Sequence, residues 1–277
     1  MGLLSSNAGS GPLVLDSPHS GTAYPDDFGY SCALATLRRA EDTHVERLYE
    51  FAPALGCAWV EAHFPRSYLD ANRGLDEIDP LLLDQPWPGP LSDGAKVRLG
   101  KGLIWRMTDE GEAIYQRRLS VAEVQQRIAR CWQPYHAAVA QAINAAHQRH
   151  GYVVHINCHS MPALASRYAT EFPGEAHADF VIGNRDDSSC HPGLVALMRD
   201  WLLARGYSVS VNHPYKGVEL VRRYSDPAAQ RHSIQVEVNR KLYMDEQTLA
   251  LHAGFAPLQR DLQALLQALL DCDPRRL

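Results

Sequence analysis

The 277-residue sequence contains no apolar run near the ~18 residues that a membrane-spanning helix needs, and its start lacks a basic segment followed by an apolar one. No membrane partner is expected, and the chain reads as cytoplasmic. Neither sign of charge dominates. The 27 Lys and Arg against 32 Asp and Glu leave a net charge of -5, so there is no global basic field of the kind that holds nucleic acid through phosphates. Cysteine is sparse and scattered (Cys32, Cys57, Cys131, Cys158, Cys190, Cys272), with no CxxC spacing. That excludes a zinc ribbon and suits free thiols in a reducing compartment. HExxH, GxSxG, GxGxxG and a Walker loop are all absent, which removes the common zinc-protease helix, the serine-hydrolase elbow and the usual nucleotide loops. No internal repeat or heptad array is present.

What is present suits a compact α/β chain. Hydrophobic residues make up 45% and charged residues 21%, ordinary globular values, and the length fits one large domain over residues 1–277 after a flexible start at 1–11. Short β-branched runs at 13–15, 58–62, 152–158, 179–183, 208–212 and 232–238 read as strands. Helical spacing covers 34–55, about 112–150 with a break at Pro134, 192–205 and 247–270. Strand and helix alternate, which predicts a three-layer fold: a mixed, mostly parallel sheet covered by helices. Residues 76–101, rich in Pro and Gly, read as a long irregular loop and a possible lid.

Several polar residues stand where such a fold puts chemistry. The run YVVHINCHSM ends a buried strand on His159, and Leu13–Leu15 runs into SPHSG with His19, so two imidazoles lie at strand ends, where open α/β sheets bind ligands. Between them Glu41 and Asp42 sit on the 34–55 helix, where an acid can face a strand-end histidine or pair locally with Arg38 or Arg39. The segment RSYLDANR carries Arg66, Asn72 and Arg73 around Asp70. Guanidinium forks and an amide donor suit a carboxylate ligand, and the alternative is a surface ion-pair network. Glu237 lies in the apolar strand HSIQVEV, where burial would raise its pKa toward the range of a general base. Lys216 and Arg223, in the Gly/Pro-containing stretch HPYKGVELVRRY, could lean over a pocket. Two histidines, an acid and a separate glutamate suit metal-assisted amide hydrolysis, which needs about three protein ligands, an open position and a base outside the ligand set.

Taken in order and spacing, SPHSG, EDTHVERLYEFA, RSYLDANRG, CHSMP, VNHPYKG and IQVEVNRKLYMDE resemble the N-formylglutamate amidohydrolase family over nearly the whole chain. The resemblance implies a zinc-carboxypeptidase-like (phosphorylase/hydrolase-like) fold and cleavage of N-formylglutamate to formate and glutamate, a closing step of histidine degradation. It implies Zn2+, or another divalent transition metal, on His19, Asp42 and His159, with Glu237 as the base. The HxxE pair of the broader relatives is missing, since Thr22 stands three after His19, so the acidic ligand must come from elsewhere: Asp42 first, then Glu41 or His44. Arg66 resembles the arginine that polarises the scissile carbonyl. Asn72 and Arg73 resemble the pair that holds a substrate carboxylate, with Lys216 or Arg223 left for a second one. The partner implied is a small anionic molecule. Two other readings fit the same residues: a related amidohydrolase for another N-acyl amino acid, and a non-catalytic binding protein on the same fold.

Overall fold

The computed structural model describes residues 2–166 and 173–277. Seven strands form one sheet: β1 (Leu4–Asn7), β2 (Leu13–Ser17), β3 (Ala58–Ala62), β4 (Val153–Met161), β5 (Phe180–Gly183), β6 (Val209–Val211) and β7 (Arg231–Asn239). Their order is β1-β3-β2-β4-β7-β5-β6, with β1/β3 and β5/β7 antiparallel and the other pairs parallel. The expected mixed, mostly parallel sheet is therefore the observed one. The flexible start is not: Leu4–Asn7 pairs with β3 as an edge strand, because its backbone groups find partners along Trp59 to Ala62.

Side chains alternate across the sheet, and each face has its own core. Val14, Val60 and Val153 pack with Tyr135, Val139 and Ile143 of helix α5 (Gln133–His150). On the other face Leu15, Ile156, Ile234 and Val236 pack with Leu258, Leu262 and Leu265 of the last helix, α8 (Phe255–Leu270). Pro192–Leu203 forms a further helix, α6, over that face.

Three expected helices are shorter than their periodicity suggests, each for a local reason. Residues 34–55 split into α1 (Leu34–Arg38), α2 (Val45–Leu48) and a 3-10 turn at Ala52–Leu55, because Asp42 N–H donates to His19 O at 3.0 Å and His44 is left-handed at φ 65°. The 112–150 region becomes helical only at α4 (Val121–Arg127): Ile114 bonds back to Arg106 and Ser31, and Ser120 with Glu123 forms a reciprocal capping box. In place of a break at Pro134 the helix runs on through a π-helical turn, Ile128–Trp132, with Pro134 directly after it in α5. The C-terminal helix starts at Phe255 rather than 247. The loop at 76–101 is irregular apart from a 3-10 turn at Pro80–Leu82 and one short helix, α3 (Ala95–Arg98); later in the chain Glu219–Tyr224 forms α7.

Candidate metal centre

The chain leaves β2 toward β3 on one side of the sheet and returns to β4 on the other, so the carboxyl ends of β2 and β4 flank a topological switch point. β2 pairs with β4 only as far as Asp16 and Asn157, and then turns away. His19 lies in that turn, which a 2.7 Å bond between Ser17 Oγ and Ser20 Oγ closes. β4 continues past His159 to Met161, further than the sequence pattern predicts, because β7 remains its partner through Asn239. Asp42 comes to the same place through the break between α1 and α2.

His19, Asp42 and His159 converge and are buried. His19 Nδ1 lies 3.1 Å from His159 Nδ1, Asp42 Oδ2 lies 2.8 Å from His159 Nδ1, and the same oxygen lies 3.4 Å from His19 Nδ1. Two donors about 2.05 Å from one tetrahedral ion would stand about 3.3 Å apart, close to these separations. The outer nitrogens fix the tautomers. His19 Nε2 faces Asp70 Oδ1 at 2.6 Å, and although burial pushes the Asp70 carboxyl up, His19 and Arg66 hold it well below the usual range. An ionised carboxylate only accepts, so His19 Nε2 carries the proton. His159 Nε2 faces Asn157 Oδ1 at 2.7 Å, and the amide cannot be turned round, since Asn157 Nδ2 donates to Asp16 Oδ1 at 2.9 Å. Asp16 also accepts from His155 Nε2 at 2.9 Å and Tyr135 Oη at 2.8 Å; burial opposes its ionisation, but His155 and these bonds win.

Both Nδ1 atoms thus face inward, toward Asp42 Oδ2. Burial pushes the Asp42 carboxyl up, but His159, His19 and Arg66 hold it well below its ordinary value. Two imidazole nitrogens and a carboxylate oxygen meeting in one buried place match the donor set of a divalent cation, and histidines whose outer nitrogen is tied to oxygen are the usual metal-site arrangement. Glu41 is turned elsewhere, accepting from Tyr24 Oη at 2.7 Å, and His44 Nε2 lies 2.9 Å from Leu249 O. Asp42 is therefore the acid that joins the histidines.

Glu237 pairs in register with His159 across β4 and β7, so both side chains leave the same face. It is buried, and Gln235 Nε2 donates to it at 2.8 Å. Burial raises its pKa to about 7; His159 opposes the rise and Asp42 adds to it. Arg66 bridges Asp42 Oδ1 at 3.4 Å and Asp70 Oδ2 at 3.2 Å, and lies 5.0 Å over the Trp105 ring. Arg73 is buried nearby, its Nε on Lys101 O at 3.2 Å. Asn72 is engaged differently from the expectation. Its Oδ1 accepts from Leu220 N–H at 2.9 Å, and its Nδ2 donates at 3.3 Å to Asn157 Oδ1, the oxygen that faces His159 Nε2, so in this structure the amide braces the partner of the histidine.

Lys216 and Arg223 do not join the cluster. Lys216 is exposed and bonds Asp186 at 2.9 Å, while Arg223 bonds Glu219 at 2.6 Å beside the Trp132 ring; loop position and charge were their whole signal, and each charge has its own acid. Four residues were passed over. Asp70, Asn157 and Asp16 orient the histidines, and Arg240 reaches Asp42 Oδ1 at 3.3 Å and Ser160 Oγ at 3.0 Å. The alternation of His155, Asn157 and His159 along β4 was the available signal, since period two places all three on one face.

The profile of the N-formylglutamate amidohydrolase family matches residues 11–244 of the chain. N-formylglutamate deformylases of Pseudomonas aeruginosa and Pseudomonas putida are each 30% identical to it, over 97% of this chain and 96% of theirs. A crystal structure of an N-formylglutamate amidohydrolase from Ralstonia eutropha JMP134 is 48% identical, with a TM-score of 0.94 and all of both chains covered. A gene product of Agrobacterium tumefaciens shares the fold at 18% identity, with a TM-score of 0.64 over 97% of this chain and 95% of its own.

Proposed function

The chain belongs to the N-formylglutamate amidohydrolase family, and from that membership we propose that it hydrolyses N-formyl-L-glutamate to formate and L-glutamate with the help of a divalent metal, zinc first. The observation that carries the reading is the meeting of three inward-facing ligand groups, His19, Asp42 and His159, with a separate glutamate in register beside them. Such an ion, held by those three residues, would act as a Lewis acid and make a water nucleophile available near neutral pH. Glu237 is the general base. Burial pushes its carboxyl up, which suits a group that takes a proton from the attacking water and returns it to the departing amine nitrogen of glutamate.

Arg66 supports charge that develops on the formyl oxygen. Its head is held by Asp42 and Asp70 on one side and by the Trp105 ring, so it is placed before substrate arrives. Its Nε is buried with no partner among the described residues. Arg73 grips a substrate carboxylate, and Asn72 takes the positioning role described above in place of a ligand contact. In this reading the substrate derives from histidine breakdown. Six unpaired cysteines support a reducing, cytoplasmic setting.

Metal analysis and formate release on one preparation test the proposal. The expected result is a stoichiometric divalent ion and formate from N-formyl-L-glutamate in preference to N-acetyl- and N-succinyl-glutamate. Preference for a larger acyl group would replace the substrate, and a metal-loaded protein inert on the whole panel would remove the hydrolase.

A further inference from the structure

The turn that follows the strand carrying Glu237 reaches back to the break that brings Asp42 inward. Arg240 opens this 3-10 turn, Arg240–Leu242, directly after β7, and it is buried. Its Nε donates to Ser160 Oγ at 3.0 Å and its Nη1 to Arg39 O at 3.1 Å. Its Nη2 donates to Glu41 O at 2.7 Å and lies 3.3 Å from Asp42 Oδ1. Just after the turn, Tyr243 Oη donates to Thr43 O at 2.8 Å. One short segment thus grips the carbonyls on both sides of Asp42.

These contacts replace what the break removes. In a continuous helix each carbonyl accepts from the N–H four residues on, so Arg39 O and Glu41 O would meet Thr43 and Val45. Val45 N–H donates to Asp42 O at 3.2 Å instead, and Asp42 N–H donates to His19 O at 3.0 Å. Both carbonyls pass to a single guanidinium, whose planar fork has donors enough for them, for Ser160 and for the carboxylate. The two oxygens of Asp42 divide accordingly. Oδ1 stands 3.4 Å from Arg66 Nη1 and 3.3 Å from Arg240 Nη2, whereas Oδ2 stands 2.8 Å from His159 Nδ1 and 3.4 Å from His19 Nδ1.

We propose that Arg240 is a positioning residue for the metal centre: it satisfies the carbonyls opened by the break between α1 and α2 and, with Arg66, occupies Asp42 Oδ1, so that Asp42 offers a single oxygen, Oδ2, to the ion. The inference rests on the reading of His19, Asp42 and His159 as metal ligands. A carboxylate restricted to one oxygen suits zinc, which is content with few ligands, and works against ions that gather more oxygen donors, such as Mn2+. Arg240 therefore sets which ion the centre prefers, without touching it.

The test reads that preference directly. Affinities for Zn2+ and Mn2+ are measured by competition with a chromogenic chelator in the wild-type protein, Arg240→Met and Arg240→Lys, with melting temperatures of the metal-free proteins alongside. Losing a positive charge alters the attraction for both divalent ions alike, so the ratio of the two affinities isolates the aim of Asp42 from the charge beside it. The preference for zinc should fall roughly tenfold or more in both variants, the range seen when outer partners of metal ligands are lost, because a lysine keeps the charge but cannot hold two carbonyls and a carboxylate at once. In Asp42→Asn, adding Arg240→Met should change the ratio no further. An unchanged ratio in the folded variants, or an equal fall with and without Asp42, overturns the inference. If neither variant folds, Arg240 belongs to the fold alone and the inference also falls. A wild-type protein that binds neither ion ends the metal reading itself, whereas an ion whose selectivity ignores Arg240 ends only this inference.

Discussion

Glu237 and His159 face each other across two parallel strands, one a buried carboxyl with a pKa raised to about 7 and the other an imidazole whose Nδ1 meets Asp42 at 2.8 Å. Strand pairing therefore sets the distance between the proposed base and the proposed metal centre, and no loop has to close to bring them together.

Glu237→Gln keeps the shape of the residue and its contact with Gln235 but removes the base. The variant should fold, retain its metal and lose roughly 10² to 10⁴ in kcat, the usual worth of general acid-base catalysis. Formate release, metal content and melting temperature from one preparation check this. Near-normal turnover in the metal-loaded variant would exclude Glu237 as the base, and a large fall in melting temperature with kcat little changed would make it a structural residue.

Metal binding should stabilise the fold, since its ligands come from three places that meet only in the native state. At about a thousand times the Kd of the ion, the gain is about 4 kcal/mol. Chelation should lower the melting temperature of the wild-type protein and leave that of Asp42→Asn nearly unmoved. An equal response to chelation in the two proteins would place the ion elsewhere.

Asn157 has no contact with the proposed ion, yet it dictates which nitrogen of His159 faces inward. Asn157→Leu should weaken metal affinity about 10- to 100-fold, the range typical of outer partners of metal-bound histidines. Asp70→Asn should act on His19 in the same way. Competition against a chromogenic chelator measures both, and wild-type affinity in both variants would show that the histidines orient themselves.

His136 gives a pH dependence of stability. Burial, then Arg223, lower its pKa to about 4 from the ordinary 6.5, although a bond from Nε2 to Ala71 O at 2.8 Å opposes the shift. Between pH 6.5 and about 4 the unfolded chain binds the proton and the native one does not. Stability is therefore full above pH 6.5 and falls as the pH drops toward 4, by on the order of 3 kcal/mol. His232, lowered to about 4 chiefly by burial, adds a loss of the same sign. Urea unfolding at pH 7 and 4.5 measures the slope, which should be smaller in His136→Gln; an identical slope would remove His136 from the account.

The sheet and its cover were legible because period-two apolar runs and long helical stripes survive in single sequences, as in β4, β7 and α8. His19, His159 and Asp42 were legible through motif order. The break that turns Asp42 inward was not, because it depends on a bond between Asp42 N–H and His19 O, 23 positions earlier in the chain. Asp70 looked like the centre of a surface ion-pair network, and only its approach to His19 separates the two roles. Lys216 and Arg223 lie outside the cluster, since charge in a loop says nothing of the acid that tertiary packing will put beside it.

The alternation along β4 and β7 also has a consequence for how the chain finds its fold. His155, Asn157 and His159 share a face with Ser233, Gln235 and Glu237, while Ile156, Cys158, Ile234 and Val236 share the face packed on α8. Sliding either strand by one residue would drive its histidines or carboxyl into an apolar core and carry its aliphatic side chains into the polar cleft. The penalty for that error comes from the same groups that are proposed to do the chemistry. Their hydrogen bonds act as a proofreading device for strand pairing, so variants that strip the polar face should assemble the sheet less faithfully as well as lose activity.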